Sequence, residues 1–184
     1  FKLDNLPAGR VDLLARCVSS AIFLSHGVRR DTRVWLALQN HNVTVCLDGA
    51  AVRGLHPDER SVAAAMRRTL AVAHGAASRA HSDDGWTFHA GGLAARLDDL
   101  LRADDLGGPT PPRPLVQVHE EGASGLTDTL RGYDRVQGSM VNAVFVFGDQ
   151  LGFSAEEDAE IARCGGVRAT VGPLPLLTSR CIVL

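Results

Sequence analysis

Asp12 and Arg16 stand four positions apart in segment 9–23, beside an apolar stripe of Val11, Leu14, Ala15, Val18, Ala21 and Ile22. That spacing is helical, so the carboxylate and the guanidinium share a helix face. The carboxylate either serves a substrate as a base or pairs with its neighbour. A second concentration of chemistry is segment 25–33 (SHGVRRDTR), which carries Arg29, Arg30 and Arg33. Guanidinium groups take phosphate oxygens in bidentate geometry, so the loop is either a local RNA-binding patch or a solvated loop with Asp31 pairing internally.

Two glycine turns follow apolar runs, 147–153 (FGDQLGF) and 171–176 (VGPLPL). Glycine lets a backbone approach a ligand closely, and main-chain groups read a base edge. Side by side, the turns would make a cleft for an adenine and a thioether; singly, each is an ordinary turn. Neither is a phosphate loop or a dinucleotide fingerprint, which disfavours nucleotide hydrolysis and nicotinamide binding. No G-x-S-x-G elbow supports a hydrolase. Cys181, in the apolar tail, reads more readily as a small core residue than as a nucleophile. His74, His81 and His89 lack metal-ligand spacing, and Cys17, Cys46, Cys164 and Cys181 form no C-x-x-C pair, so no metal is expected.

Helices and strands must position these groups. The periodicity predicts a helix over 9–23, a buried strand over 33–39, and an alternating strand over 42–47 ending in the hairpin-type pair Asp48-Gly49. Pro57 and two acids open a helix over 62–77. Polar 78–87 reads as a loop, 91–101 as a helix, and 103–114, with four of the chain's eight prolines, as an exposed connector. The last third alternates: strand 115–119, short helix 125–131, buried strand 141–147, a helix capped by Ser154 and stopped by Gly165-Gly166, strand 167–171, and a helical tail over 176–184. Such alternation implies a largely parallel sheet whose ligands sit at the carboxyl edge of the strands.

A chain of 184 residues, 45% hydrophobic, has the arithmetic of one globular domain with a sizeable core. No apolar stretch reaches the roughly 20 residues of a bilayer span. Scattered cysteines fit a reduced, cytosolic compartment. A net charge of −2 argues against gripping nucleic acid by bulk charge, with Lys2 the only lysine. The chain opens on Phe1 rather than Met, which points to a start inside a longer protein.

In order along the chain, 9–18 (GRVDLLARCV), 23–31 (FLSHGVRRD), 55–61 (LHPDERS), 147–153, 171–177 (VGPLPLL) and 179–184 (SRCIVL) resemble the archaeal tRNA pseudouridine N1-methyltransferases, the TrmY group of the SPOUT superfamily. The resemblance covers nearly the whole chain. It implies an α/β fold, a SPOUT-type, mostly parallel sheet flanked by helices, with roughly 141–184 threaded into a deep trefoil knot. It implies a single domain over 1–184, a homodimer with its active site near the subunit interface, S-adenosylmethionine as methyl donor, and tRNA as partner in the cytoplasm.

Carried onto this chain, the cofactor pocket takes Phe147, Gly148, Asp149 and Gly152 from one turn and Gly172, Leu174, Leu177, Cys181 and Ile182 from the last. Asp12 positions or deprotonates the acceptor. Arg16, Arg29 and Arg30 bind phosphate or base oxygens, with Arg33 added on the RNA side, and Cys181 shapes the methyl-transfer pocket. The implied reaction is methyl transfer to N1 of pseudouridine-54 in the tRNA T-loop. The competing expectations are another pseudouridine-containing RNA or a small nucleoside as acceptor, or a non-catalytic SPOUT module that binds RNA or protein.

Overall fold

The computed structural model describes residues 1–73, 79–81, 84–102, 113–137 and 142–183. Contacts divide the chain into two compact units, Phe1–Gly92 and Leu93–Ile182.

In the first unit the helical stripe behaves as its spacing requires. Helix α1 (Val11–Ile22) buries Val11, Ala15, Val18 and Ile22 on one face. The break after it is a small hairpin, β1 (Phe23–Leu24) with β2 (Gly27–Val28). Strands β3 (Arg33–Leu38) and β4 (Val43–Asp48) pair antiparallel, and Asn42 closes the turn between them in the left-handed region, φ 48°.

Asp48-Gly49 is not the hairpin the sequence suggests. Asp48 Oδ1 instead accepts the Ala50 N–H at 2.9 Å, and the Asp48 carbonyl accepts from Ala51 and Val52, which turns the chain off the sheet. Helix α2 (Glu59–Ala73) follows, starting earlier than expected because Asp58 Oδ1 takes the Ser61 N–H at 2.8 Å; positions 74–77 of the expected helix lie outside the described residues.

The expected loop at 78–87 contains β5 (Arg79–His81) and the start of β6 (Trp86–Ala90). The sheet order is β3-β4-β6-β5, antiparallel throughout. Trp86, 1% exposed, joins Val45 and Leu47 beneath Ala15, Val18 and Ile22 of α1 and Val62, Ala65 and Met66 of α2. The alternation of the last third therefore describes only the second sheet.

The second unit holds α3 (Leu93–Arg102), β7 (Leu115–Val118), β8 (Ser124–Gly125), α4 (Leu126–Gln137), β9 (Val144–Phe147), α5 (Ala155–Arg163), β10 (Val167–Thr170) and α6 (Thr178–Cys181). Residues 103–112 of the expected connector, and Val141 and Leu184, lie outside the described residues. The sheet order is β8-β10-β7-β9 and every pairing is parallel, as the βα alternation predicts.

Leu97, Leu115 and Ile161 form its core with Val144 and Val146 against them. Helix α5 opens with a complete capping box: Ser154 Oγ accepts the Glu157 N–H at 3.2 Å and Glu157 accepts the Ser154 N–H at 2.8 Å. Strand β9 is shorter and less buried than expected, because it is an edge strand and Phe145 is 41% exposed. The expected helical tail shrinks to the single turn α6, with Leu176 and Leu177 exposed ahead of it.

Two features set up the site. In register, Val118 pairs with both Phe147 and Ala169, so β7, β9 and β10 end at one edge. The chain leaves β9 on one side of β7 and returns as β10 on the other, so the two following loops flank a crevice over β7. Strand β10 also lies between β7 and β8, which are neighbours in sequence. The connection between them crosses β10 at Gly122, where a Cβ would run into the Ala169 carbonyl carbon. Only glycine lets the backbones pass so closely.

Candidate cofactor crevice and acidic–basic cluster

The first turn after β9 is built by its own backbone. Asp149 Oδ1 accepts the Leu151 N–H at 2.7 Å and its carbonyl accepts from Gly152 at 3.2 Å. Gly152 sits at φ 81°, and a Cβ on Gly148 would lie 2.9 Å from the Gly152 carbonyl carbon. Thr178 Oγ1 of α6 donates to the Gly148 carbonyl at 3.0 Å. That bond brings the 147–152 turn and the 172–182 segment together, as the paired-turn reading requires. In the second loop Thr170 Oγ1 donates to the Gly172 carbonyl at 2.8 Å, while the space beside the Gly172 Cα is open.

Leu151, Leu174 and Leu177 are 86%, 72% and 64% exposed. Three large apolar side chains thus stand exposed on the two loops at this edge. Cys181 and Ile182 are half-buried. The Cys181 thiol faces the Leu176 carbonyl at 3.8 Å, and burial pushes its titration up. A thiol held neutral is a poor nucleophile. Cys181→Ala should therefore keep single-turnover activity within about threefold of the parent; a loss of several orders of magnitude would assign it a covalent role.

Within the first unit, Asp12 is 8% exposed and lies between two guanidiniums, Arg16 Nη2 at 3.0 Å and Arg10 Nε at 3.4 Å. Arg16 forks: its Nη1 reaches Glu59 Oε1, at the start of α2, at 3.1 Å. Glu59 is a partner that sequence reasoning did not single out, because it is 43 positions away and only the packing of α1 on α2 joins them.

The three loop arginines are engaged internally. Arg29 Nη1 donates to the Ser20 and Ala21 carbonyls at 3.0 Å each, closing the C-terminal turn of α1. Arg30 Nη1 donates to the Gly49 and Val52 carbonyls at 3.0 and 3.1 Å, holding the loop after β4. Arg33 pairs across the β3–β4 ladder with Asp48 at 3.2 Å. Arg30 and Arg33 remain exposed enough to meet a second partner. The His89 ring lies against Trp35, centroids 5.0 Å apart and planes tilted by 46°. Among the described residues no group of three His, Cys, Asp or Glu could hold a metal ion, and no helix is long and apolar enough to cross a membrane.

A polar triangle of one buried and two partly exposed side chains lies just behind the crevice, also unflagged by sequence. Gln117 of β7, 3% exposed, donates to Asp158 Oδ1 of α5 at 2.7 Å and accepts from Arg168 Nε of β10 at 3.0 Å. Arg168 Nη2 closes it on Asp158 Oδ2 at 2.7 Å. The Gln117 hydrogen bond, then that of Arg168, hold the Asp158 carboxyl below the usual carboxylate range. A depressed carboxylate stabilises the fold above its unfolded titration point, and the contribution is lost as pH falls through the folded one. Asp158→Asn should accordingly flatten the acid limb of the stability curve below about pH 4 and leave its slope near neutrality unchanged, measured by urea unfolding at stepped pH.

The chain is of the α/β class, and the parallel sheet of its second unit carries two glycine turns at its carboxyl edge; the fold is shared with the crystal structure of Archaeoglobus fulgidus Nep1 bound to S-adenosylhomocysteine, at a TM-score of 0.59 and 16% identity, over 95% of this chain and 67% of that one. The family described as "Putative SAM-dependent RNA methyltransferase" matches residues 1–184, and the chain belongs to it. Among its relatives, the tRNA (pseudouridine(54)-N(1))-methyltransferase of Halobacterium salinarum is 37% identical over all of this chain and 85% of its own length. The enzyme of the same name from Methanococcoides burtonii is 33% identical with the same coverage.

Proposed function

We propose that this protein transfers the methyl group of S-adenosylmethionine to N1 of a pseudouridine in the T-loop of tRNA, at position 54. The observation that carries the reading is the crevice between two turns joined by the Thr178–Gly148 bond, in a chain alike over its full length to enzymes named for that reaction. The residues present fit the donor. Main-chain groups of 148–152 and 172–177 can read an adenine edge, Leu174 and Leu177 offer apolar walls, and the exposed Asp149 carboxylate would suit a cationic ligand. The donor, when bound, supplies an electrophilic methyl group.

Methyl transfer forms the N1–C bond, breaks C–S, and releases the N1 proton. Asp12 is the group that takes or directs this proton, and Arg16 orients Asp12 through the 3.0 Å pair. Arg30 and Arg33 face RNA phosphates in addition to their internal contacts. Alignment of N1, methyl and sulfur does most of the remaining work.

The reading includes a single methyltransferase domain over 1–184, a knotted segment over 141–184, a homodimer that covers the exposed leucines, and a cytoplasmic setting. The placement of β10 between β7 and β8, beneath Gly122, supports the knot; the exposure of Leu151, Leu174 and Leu177 supports the dimer. The test is incubation with labelled S-adenosylmethionine and three acceptors: pseudouridine-containing tRNA, unmodified tRNA and free pseudouridine. Label on the first alone is expected. Label on unmodified tRNA would overturn the pseudouridine specificity, and label on free pseudouridine would move the substrate to a small nucleoside.

A further inference from the structure

We infer that Gln117 is a positioning residue for the cofactor crevice, locking the helix that leaves the first turn to the strand that enters the second. This rests on the proposed function, in which those turns hold S-adenosylmethionine. Gln117 stands one position short of the carboxyl edge, in register with Val146 of β9 and Arg168 of β10. Its two amide atoms reach in two directions, to Asp158 in the first turn of α5 and to Arg168, two residues before β10 ends. Helix α5 begins directly after the 147–153 turn, and β10 runs directly into the 171–177 loop. Each loop is thus anchored at one end to the same buried side chain.

Stability alone does not call for an amide at 117. Arg168 and Asp158 already satisfy one another at 2.7 Å, and an apolar side chain of similar size would fill the site without a polar group to desolvate. What the amide adds is direction. An apolar residue lets α5 slide on the sheet, whereas a donor on one side and an acceptor on the other fix α5 relative to β10. Sites need about that precision, because a misplacement near 1 Å can cost up to roughly a hundredfold in function.

The experiment compares the full chain with Gln117→Leu, Arg168→Met and Asp158→Asn by calorimetric titration of S-adenosylmethionine, thermal unfolding, and steady-state methyl transfer. Gln117→Leu should raise Kd and KM for S-adenosylmethionine by about tenfold, with kcat and Tm close to the parent. The double variant Gln117→Glu with Asp158→Asn reverses the donor and the acceptor, and should regain most of the affinity that Gln117→Glu alone loses. A merely structural role would move Tm and would not follow that exchange in Kd.

Parent-like affinity in Gln117→Leu overturns the inference and leaves the methyltransferase reading standing. Failure of the parent itself to bind S-adenosylmethionine overturns both. Should Gln117→Leu not fold, Arg168→Met and Asp158→Asn decide, since their side chains are 42% and 32% exposed and tolerate replacement; unchanged affinity in both overturns the inference.

Discussion

Gly148→Ala should weaken S-adenosylmethionine binding by about a hundredfold, the size of effect that follows when a binding turn is displaced by an ångström. The added Cβ would meet the Gly152 carbonyl carbon at 2.9 Å and its Cα and oxygen at 3.0 Å. Real Cβ atoms do not come so close to backbone, so the turn must open. Gly152, at φ 81°, already holds the tight left-handed conformation that closes the turn on Gly148. Opening the turn also pulls the Gly148 carbonyl from Thr178, so the second loop loses its tie to the first. Gly172→Ala is the informative companion. Nothing lies within 4 Å of its added Cβ, so the free protein accommodates the methyl and any fall in affinity reports a ligand that occupies that space. Gly132→Ala, in the interior of α4 with equally open surroundings, should leave binding alone and stabilise the fold by about 0.5–1 kcal/mol. Calorimetry and thermal melts on the three variants check all of this. Parent-like affinity in Gly148→Ala would remove the turn from the cofactor site.

The parts of this molecule that sequence could foretell are those where cause and effect lie a few residues apart. The stripe of Val11, Ala15, Val18 and Ile22 is a one-helix pattern, and all four residues are buried as it requires. The Ser154–Glu157 box acts over three residues and sits where its sequence places it. Strand β6 was hidden because Ser82-Asp83-Asp84-Gly85 reads as a turn and because Thr87 and His89 dilute the apolar signal. What makes it a strand is β4, which pairs with it from about forty positions earlier. The same distance conceals the antiparallel sheet, since Asp48-Gly49 carries a hairpin signal that the Asp48 side chain turns to another use. Site residues divide in the same way. The glycine turns are visible as turns, but Thr178, Glu59 and Gln117 join their partners across 30, 43 and 41 positions. The loop arginines show a further limit: a guanidinium suits a phosphate and a carbonyl equally, and only the fold shows Ser20, Ala21, Gly49 and Val52 taking Arg29 and Arg30.

Asp12→Asn should lower the single-turnover methyl-transfer rate by about 10²–10⁴-fold, the range that loss of a positioned acid–base group commonly costs. The substitution keeps the side chain's size and leaves an oxygen to accept from Arg16. It removes the charge and the oxygen that would take the N1 proton. Binding of tRNA and of S-adenosylmethionine should stay within about threefold, because a group that acts in the transition state affects kcat more than ground-state affinity. Arg16→Ala separates positioning from chemistry. It leaves Asp12, 8% exposed, with only the longer 3.4 Å contact to Arg10, and it frees Glu59. Since Arg16 and Glu59 are each 40% exposed, solvent screening limits the stability loss to about 1 kcal/mol, while the rate should fall because Asp12 is no longer held in place. Arg16→Lys restores the charge without the fork that reaches Asp12 and Glu59 together, so it should recover stability more fully than rate. A parent-like rate in Asp12→Asn would take the proton-transfer role away from Asp12, and the half-buried pair with Arg16 would then be an anchor between α1 and α2 alone.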